Sequence, residues 1–191
     1  MQLRHCMNVH EAIFARRAVR AYTSGAVEEE TIRSLLRAAV QAPSAMNRQP
    51  WLFAVVEDRA RLRRYSERAK AMLLEAKDAK TSHYAAMLRD PSFNIFYDAG
   101  CLVAIGVGET TAYSAADCWL AASNLMLGAR DRGLGTCCIG FAIPILNTPD
   151  VKAELGFPRD GAVIAPIILG HPAVEPPAVA RALPNIVSWS R

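Results

Sequence analysis

Apolar residues recur at three- and four-residue intervals through Ile32, Leu35, Leu36, Ala39 and Val40, the stripe by which a helix faces a core. This spacing predicts a helix over Glu28 to Ala42. Glu28, Glu29 and Glu30 fill its first turn, where carboxylates favour the positive end of the helix dipole. Ahead of it, Asn8 is placed to cap a helix running from about Val9 to Ala18. Pro43 and Pro50 bracket a loop, and Leu52 to Glu57 reads as a short apolar strand. Arg59 to Lys80 is charged, alanine-rich and helical, and Arg89 to Asn94 is a loop containing Pro91. Cys101 to Val107 is a near-continuous apolar run, which predicts a strand buried on both faces. Ala115 to Asp131 predicts a long apolar helix that Gly133 and Gly135 can terminate. Thr136 to Ile139 is a strand candidate, Asp150 to Leu155 a short helix before Gly156 and Pro158, and Ala162 to Leu169 the last long strand. The tail from Pro172 to Arg191 holds four prolines, which excludes a regular helix and predicts an extended arm.

The order is helix, helix, strand, helix, strand, long helix, strand, strand, arm. That is a mixed α+β layering, with too few strands for a large wound sheet. No internal repeat or low-complexity segment interrupts it. The expectation is one domain over 1–191, with the arm at about 171–191.

Composition narrows the class. Of 191 residues 52% are hydrophobic and 21% charged, enough apolar surface for a core and too much for disorder. The net charge of +4 is too mild to indicate nucleic acid and suits a bound anion such as a phosphate. The apolar runs at Cys101–Gly108 and Ala162–Gly170 are strand-length, short of the roughly 20 residues that cross a bilayer. Met1 to His10 has no apolar run followed by a cleavage site. The five cysteines, Cys6, Cys101, Cys118, Cys137 and Cys138, are odd in number and nowhere spaced as CxxC. The expectation is a reduced, cytoplasmic protein without structural zinc or a disulfide framework. His5, His10, His83 and His171 are scattered without metal-ligand spacing.

Three clusters carry candidate chemistry. The run RRAVRAY holds Arg16, Arg17 and Arg20; on a helix, Arg16 and Arg20 share a face. Guanidinium forks match phosphate oxygens, although the same run also reads as a solvated basic helix end. The second cluster is APSAMNRQPW, Ala42 to Trp51, in which two prolines fix a backbone bearing Ser44, Asn47 and Gln49. A stiff loop with three polar side chains suits the polar edge of a ligand, and an ordinary self-capped turn fits equally. The third is GLGTCCIG, Gly133 to Gly140, whose glycines let backbone amides approach a flat ligand. It lacks the lysine of a P-loop and follows a helix instead of opening one; a glycine-terminated helix leading into a strand explains it as well. Ser44 has no nucleophile-elbow context. Asp117 beside Cys118 has the look of a dyad, but an Asp within a helix is ordinarily satisfied by its neighbours. With no nucleophile set visible, cofactor chemistry is the natural alternative.

Taken together, RRAVRAY, then APSAMNRQPW, then DCWLAASNLMLGARDRGLGTCCIG resemble the nitroreductase family in order and spacing, from about Val9 to Trp189. FYDAG before the Cys101 run and the closing IVSW fit the same pattern. The resemblance implies an α+β fold with a central, mainly antiparallel sheet packed by helices, in an intertwined homodimer holding FMN at two interfacial sites. It implies that Arg16 and Arg181 bind the phosphate, that Arg17 and Ala18 line the same wall, and that Arg20 faces the pyrimidine end of the flavin. Ser44, Ala45, Asn47 and Gln49 would reach FMN from the partner, and Cys138, Ile139 and Gly140 would lie beside flavin N5, with Ile139 and Gly140 as backbone donors. The family often has serine where this chain has Ala18, and tryptophan where it has Cys138. The implied activity is a ping-pong transfer of hydride from NAD(P)H through N5 to a nitroaromatic, quinone or similar small acceptor, with no catalytic side chain, no metal, no nucleic acid and no membrane. Flavin fragmentation, dehalogenation, heterocycle oxidation and non-enzymatic flavin binding are the rival readings.

Overall fold

The computed structural model describes residues 7–75 and 84–191. Four strands, β1 (Trp51–Val56), β2 (Cys101–Val107), β3 (Gly135–Cys138) and β4 (Ala162–Gly170), form one antiparallel sheet in the order β1-β2-β4-β3. Every residue of β2 is buried, as its unbroken apolar run requires of a central strand covered on both faces. On one face Val103, Ile105, Ile167 and Leu169 pack against α2 (Glu29–Ala39) and α5 (Ser114–Asp131). On the other, Leu102, Ala104 and Ile168 pack against α3 (Arg59–Glu75) and α6 (Ile143–Leu146). Fully burying a side chain such as Leu125 or Ile168 contributes about 1.5–3 kcal/mol, so this two-sided sandwich is the main source of stability. Two short helices, α4 (Ala85–Arg89) and α7 (Pro149–Leu155), close the α3 side, and α1 (Val9–Ala15) lies against α5.

The helix ends explain where the ligand-facing segments begin. Asn8 caps α1 through a reciprocal pair: its side chain accepts from the Glu11 N–H at 3.0 Å, and Glu11 accepts from the Asn8 N–H at 2.8 Å. The helix then stops at Ala15, three residues before the sequence pattern suggests. Arg16 is already extended (ψ 128), Ala18 forms a parallel bridge to Thr136, and the Val19 N–H donates to the Thr136 carbonyl at 2.9 Å. No glycine or proline marks that stop; a tertiary contact with β3 makes it. The end of α5 is marked. Gly133 adopts a left-handed φ of 71, the Leu134 N–H returns to Ala129 O at 2.9 Å and the Gly133 N–H to Arg130 O at 3.0 Å, the paired bonds of a Schellman turn.

The helix expected over Arg59–Lys80 runs to Glu75, and its last residues lie outside the described ones, as do Cys6, His5 and His83. Of the loop expected over Arg89–Asn94, Arg89 instead ends α4 and the rest is a loop, tethered by buried Lys70, which donates to the carbonyls of Asp90 (3.1 Å) and Phe93 (2.9 Å). The arm after Pro172 forms neither helix nor strand and bends at Ala173, Val174 and Val187. Among the described residues, no helix is long and apolar enough to cross a membrane, and no cluster of three or more His, Cys, Asp or Glu has metal-binding spacing.

Candidate functional site

Because α1 ends at Ala15, Arg16 and Arg20 do not share a helix face. They stand at the two ends of an extended stretch, which separates their Cα atoms by up to about 13 Å, where a helix would hold them about 6 Å apart. Each therefore enters a different hollow. The first has a volume of about 370 Å³ and is lined by Phe14, Arg16, Arg17, Ser123, Leu127 and Arg181 among others. The arm thus brings Arg181 to Arg16, as the resemblance implies. Among the described residues neither arginine makes an ion pair. Arg17 is committed differently: its Nη1 donates to the carbonyls of Phe14 (2.6 Å) and Arg16 (2.9 Å), satisfying the end of α1, while its Nε is buried without a partner. Ala18 contributes backbone only, through its bridge to Thr136. Guanidinium groups without an ion pair, one of them with an orphaned donor, are chemically suited to an anion.

The second hollow, about 500 Å³, is lined by Arg20, Tyr97, Cys137, Cys138, Ile139 and Gly140 together with Tyr84, Met87 and Phe141. Its volume and mixed aromatic lining suit a planar ligand. The Ile139 N–H is already donated to Pro166 O at 2.9 Å. Of the two amides expected beside the flavin, only that of Gly140 remains, since the first residue of its 3-10 turn has no partner within the turn. A Cβ built on Gly140 would meet nothing within 4 Å, so the space above it is open. Cys138 is exposed, with its Sγ 3.7 Å from Met126 Sδ. Cys137 is buried on the opposite side of β3, and burial pushes its thiol up while the Arg16 and Arg20 cations pull it down.

The loop carrying Ser44, Ala45, Asn47 and Gln49 does not join these hollows within one chain. It lines a third, of about 620 Å³, with Gly108, Thr111, Tyr113 and Asp117. Ser44 Oγ accepts from the Gln49 N–H at 2.9 Å, and Gln49 Nε2 donates to Asn47 Oδ1 at 3.1 Å. Much of the loop's polarity is therefore spent on its own shape. Met46, Asn47 and Gln49 all hold left-handed φ values near 50 (52, 53 and 48), a costly conformation that outside support must fix. Asp117 gives that support: its carboxylate accepts from the Ala45 N–H at 3.0 Å and its carbonyl from Trp51 Nε1 at 2.8 Å. The Asp117–Cys118 pair is not a reactive dyad, because burial and the adjacent carboxylate push the Cys118 thiol up to about 12.

Sequence reasoning gave no role to Tyr97, Tyr84, Met87, Phe141, Ser123 or Leu127. Tyr97 lay inside the FYDAG run, and Ser123 and Leu127 are four apart on α5, the one periodic signal that would have put them on a common face.

Comparisons with known proteins bear on the family and the fold. Residues 13–171 match the sequence model of the Nitroreductase family. A 5,6-dimethylbenzimidazole synthase from Rhodospirillum rubrum is 33% identical over 183 residues, covering 87% of this chain and 83% of that protein. An NADH dehydrogenase from Thermus thermophilus is 28% identical over 205 residues, 96% of each chain. Among solved structures, a nitroreductase with bound FMN from Bacteroides fragilis superposes with a TM-score of 0.82 at 27% identity, covering 95% of this chain and 100% of that one.

Proposed function

The chain belongs to the nitroreductase family, and from that premise we propose that it is an FMN-dependent NAD(P)H oxidoreductase acting by a ping-pong mechanism on flat acceptors such as nitroaromatics or quinones. The observation that carries the reading is the splitting of RRAVRAY between two hollows. One offers unpaired guanidinium groups for a phosphate, and the other a single cation beside an open, aromatic-lined space. The residues present fit FMN at both ends, and the open space over Gly140 leaves room for a ring against backbone.

Arg16 and Arg181 would neutralise the phosphate dianion, with Arg17 and Ala18 forming the adjoining wall. Arg20 would stabilise the negative charge that reduction leaves at the pyrimidine end, and the Gly140 N–H is the free backbone donor for N5. Tyr84, Met87 and Phe141 exclude water and leave an apolar slot for the second reactant; Tyr84 and Phe141 meet edge to face at 5.3 Å. When bound, FMN supplies the redox chemistry, taking a hydride from NAD(P)H and passing it to the acceptor on the same face.

The purified protein is expected to be yellow, to release FMN and not FAD on denaturation, and to bleach anaerobically with NAD(P)H before an acceptor restores its colour. Chromatography of the released flavin and stopped-flow absorbance check this. A colourless protein that cannot be reconstituted with FMN sinks the reading. One alternative that the resemblance leaves open is fragmentation of the flavin itself; full recovery of intact FMN after repeated turnover in air excludes it.

The site is proposed to need two chains. Of the loop residues expected to reach the flavin, Ala45 lines a hollow apart from Arg16, Arg20 and Arg181, while Ser44, Asn47 and Gln49 line none of the three hollows, which suits delivery of the loop to a partner's flavin. Large apolar residues stand in water on α1 (Phe14, 73% exposed) and on the arm (Leu183, 91%; Val187, 97%), more than a lone subunit ordinarily tolerates. Light scattering is expected to show a dimer, with an interface above about 2,000 Å². A flavin-loaded monomer refutes it. A cytoplasmic location and a small-molecule acceptor as the only other partner belong to the same reading.

A further inference from the structure

Arg20 is exposed at its hollow and makes no ion pair among the described residues. A long side chain of this kind samples many rotamers unless something fixes it. Its guanidinium carbon lies 5.9 Å from the centroid of the Tyr97 ring, within reach of a cation–π contact.

Tyr97 is held with unusual firmness. It takes a left-handed φ of 52, and Asp98 follows at 51, a costly conformation for residues that carry a Cβ. A local frame keeps it there. The Tyr97 N–H donates to Asn94 O at 2.8 Å, and the Phe96 N–H to Asn94 Oδ1 at 3.0 Å. Asn94 Nδ2 and Arg63 Nη2 both donate to Asp98 Oδ1 at 2.9 Å. The Tyr97 ring also meets Phe93 edge to face, at 5.6 Å and 78°. Strain maintained by so many bonds marks the orientation of this ring as the feature being held.

The groups around the cation are neutral. Burial pushes the Tyr97 hydroxyl and the Cys137 thiol up while Arg20 pulls both down. Tyr22, whose hydroxyl donates to Val19 O at 2.8 Å, is pushed far above its usual range, chiefly by burial. Arg20 also meets the Tyr97 hydroxyl and the Cys137 thiol as a hydrogen-bond donor, so its positive charge is oriented by the Tyr97 side chain and a neutral thiol without being cancelled by an anion.

We propose that Tyr97 is the positioning residue for Arg20, its ring holding the guanidinium at the edge of the hollow and thereby favouring reduced over oxidised FMN. This rests on the reading of that hollow as the flavin site.

The test measures the FMN dissociation constant and the midpoint potential of bound FMN, which together give the ratio of reduced to oxidised affinity. The proteins compared are the holoenzyme, Tyr97→Phe, Tyr97→Leu, Arg20→Ala and the Tyr97→Leu/Arg20→Ala double variant. Tyr97→Asn is a second ringless variant, since Asn tolerates left-handed backbone. A ringless residue is expected to lower the ratio about 2- to 30-fold, the strength of one cation–π contact. Tyr97→Phe keeps the ring face but loses the hydroxyl that meets Arg20, and is expected to fall between the wild type and the ringless variants. With Arg20 already removed, Tyr97→Leu should add nothing. A wild-type ratio in a ringless variant that still binds FMN overturns the proposal, as does an undiminished effect in the Arg20→Ala background. If Tyr97→Leu unfolds, Tyr97→Asn decides. If Arg20→Ala itself leaves the ratio unmoved, the reading of Arg20 falls and takes this inference with it. If Arg20→Ala lowers the ratio and the ringless variants do not, only the role of Tyr97 falls.

Discussion

Arg16→Ala is expected to weaken FMN binding about 10- to 150-fold while sparing the chemistry of enzyme that is still loaded. The range follows from one charge-assisted bond to phosphate, worth about 1.5–3 kcal/mol. Arg16 lies on the wall of the first hollow with Arg17 and Arg181. Arg17 spends Nη1 on two carbonyls at the end of α1, which anchors its side chain and keeps it from moving into the place of the lost fork. Arg20→Ala should behave differently, because Arg20 lines the second hollow. Its loss should lower the midpoint potential of bound FMN and slow hydride uptake, with a smaller change in oxidised affinity. Equilibrium titration and a redox titration of both variants check the pair. Unchanged affinity in Arg16→Ala removes the phosphate role, and an unmoved potential in Arg20→Ala removes the other. If both are silent, the arginines are no more than a solvated basic segment.

The contrast between those variants depends on something that spacing alone does not reveal. Four residues apart, Arg16 and Arg20 read as one helical face; only the bridge from Ala18 to Thr136 separates them. Helix stops that carry a chemical mark were legible. Gly133 announced the end of α5, and Asn8 the start of α1. A stop imposed by a strand from elsewhere in the chain leaves no local mark. The same reason accounts for α4, α6 and the 3-10 turns, which are too short for periodicity to register. The long apolar runs became β2 and β4, because full burial leaves a composition that burial alone explains. Within the site, the arginines and glycines were visible as residue types. Tyr97 was not, since its importance lies in a backbone angle and a neighbour distant in sequence. The loop of Ser44 to Gln49 came through as rigid, but what holds it is Asp117, an acid on α5 that the sequence pairs more readily with Cys118.

The crossing segment itself is a vulnerable point of the fold, and Gly135→Ala is expected to show it. From Ala18 to Thr23 the chain runs between β3 and the start of the arm. The Val19 N–H is donated to Thr136 O, the Thr23 N–H to His171 O and the Ala173 N–H to Ala21 O, each at 2.9 Å. Two glycines paired across the sheet, Gly135 and Gly170, make room for it. A Cβ on Gly135 would sit 2.7 Å from Val19 Cγ2 and 2.8 Å from its Cβ and Cγ1, closer than packed carbons approach. Val19 is 5% exposed and has no solvent side to yield into. Overpacking of this kind costs about 1–3 kcal/mol, or a fall in Tm of about 2–12 °C for a chain of this length. Displacing Val19 also displaces Arg16 and Arg20, which flank it, so FMN affinity and flavin potential should both suffer. Val19→Ala in the same chain removes Cγ1 and Cγ2 but leaves the Cβ at 2.8 Å, and its rescue should be partial. Gly140→Ala is the matched comparison. Its new Cβ meets nothing within 4 Å, so Tm should hold while a methyl group intrudes where the flavin is read to lie. Thermal denaturation and FMN titration of the three proteins separate the two effects. If Gly135→Ala keeps both Tm and affinity, the crossing segment does not depend on that close approach, and its hold on the two arginines must come from elsewhere.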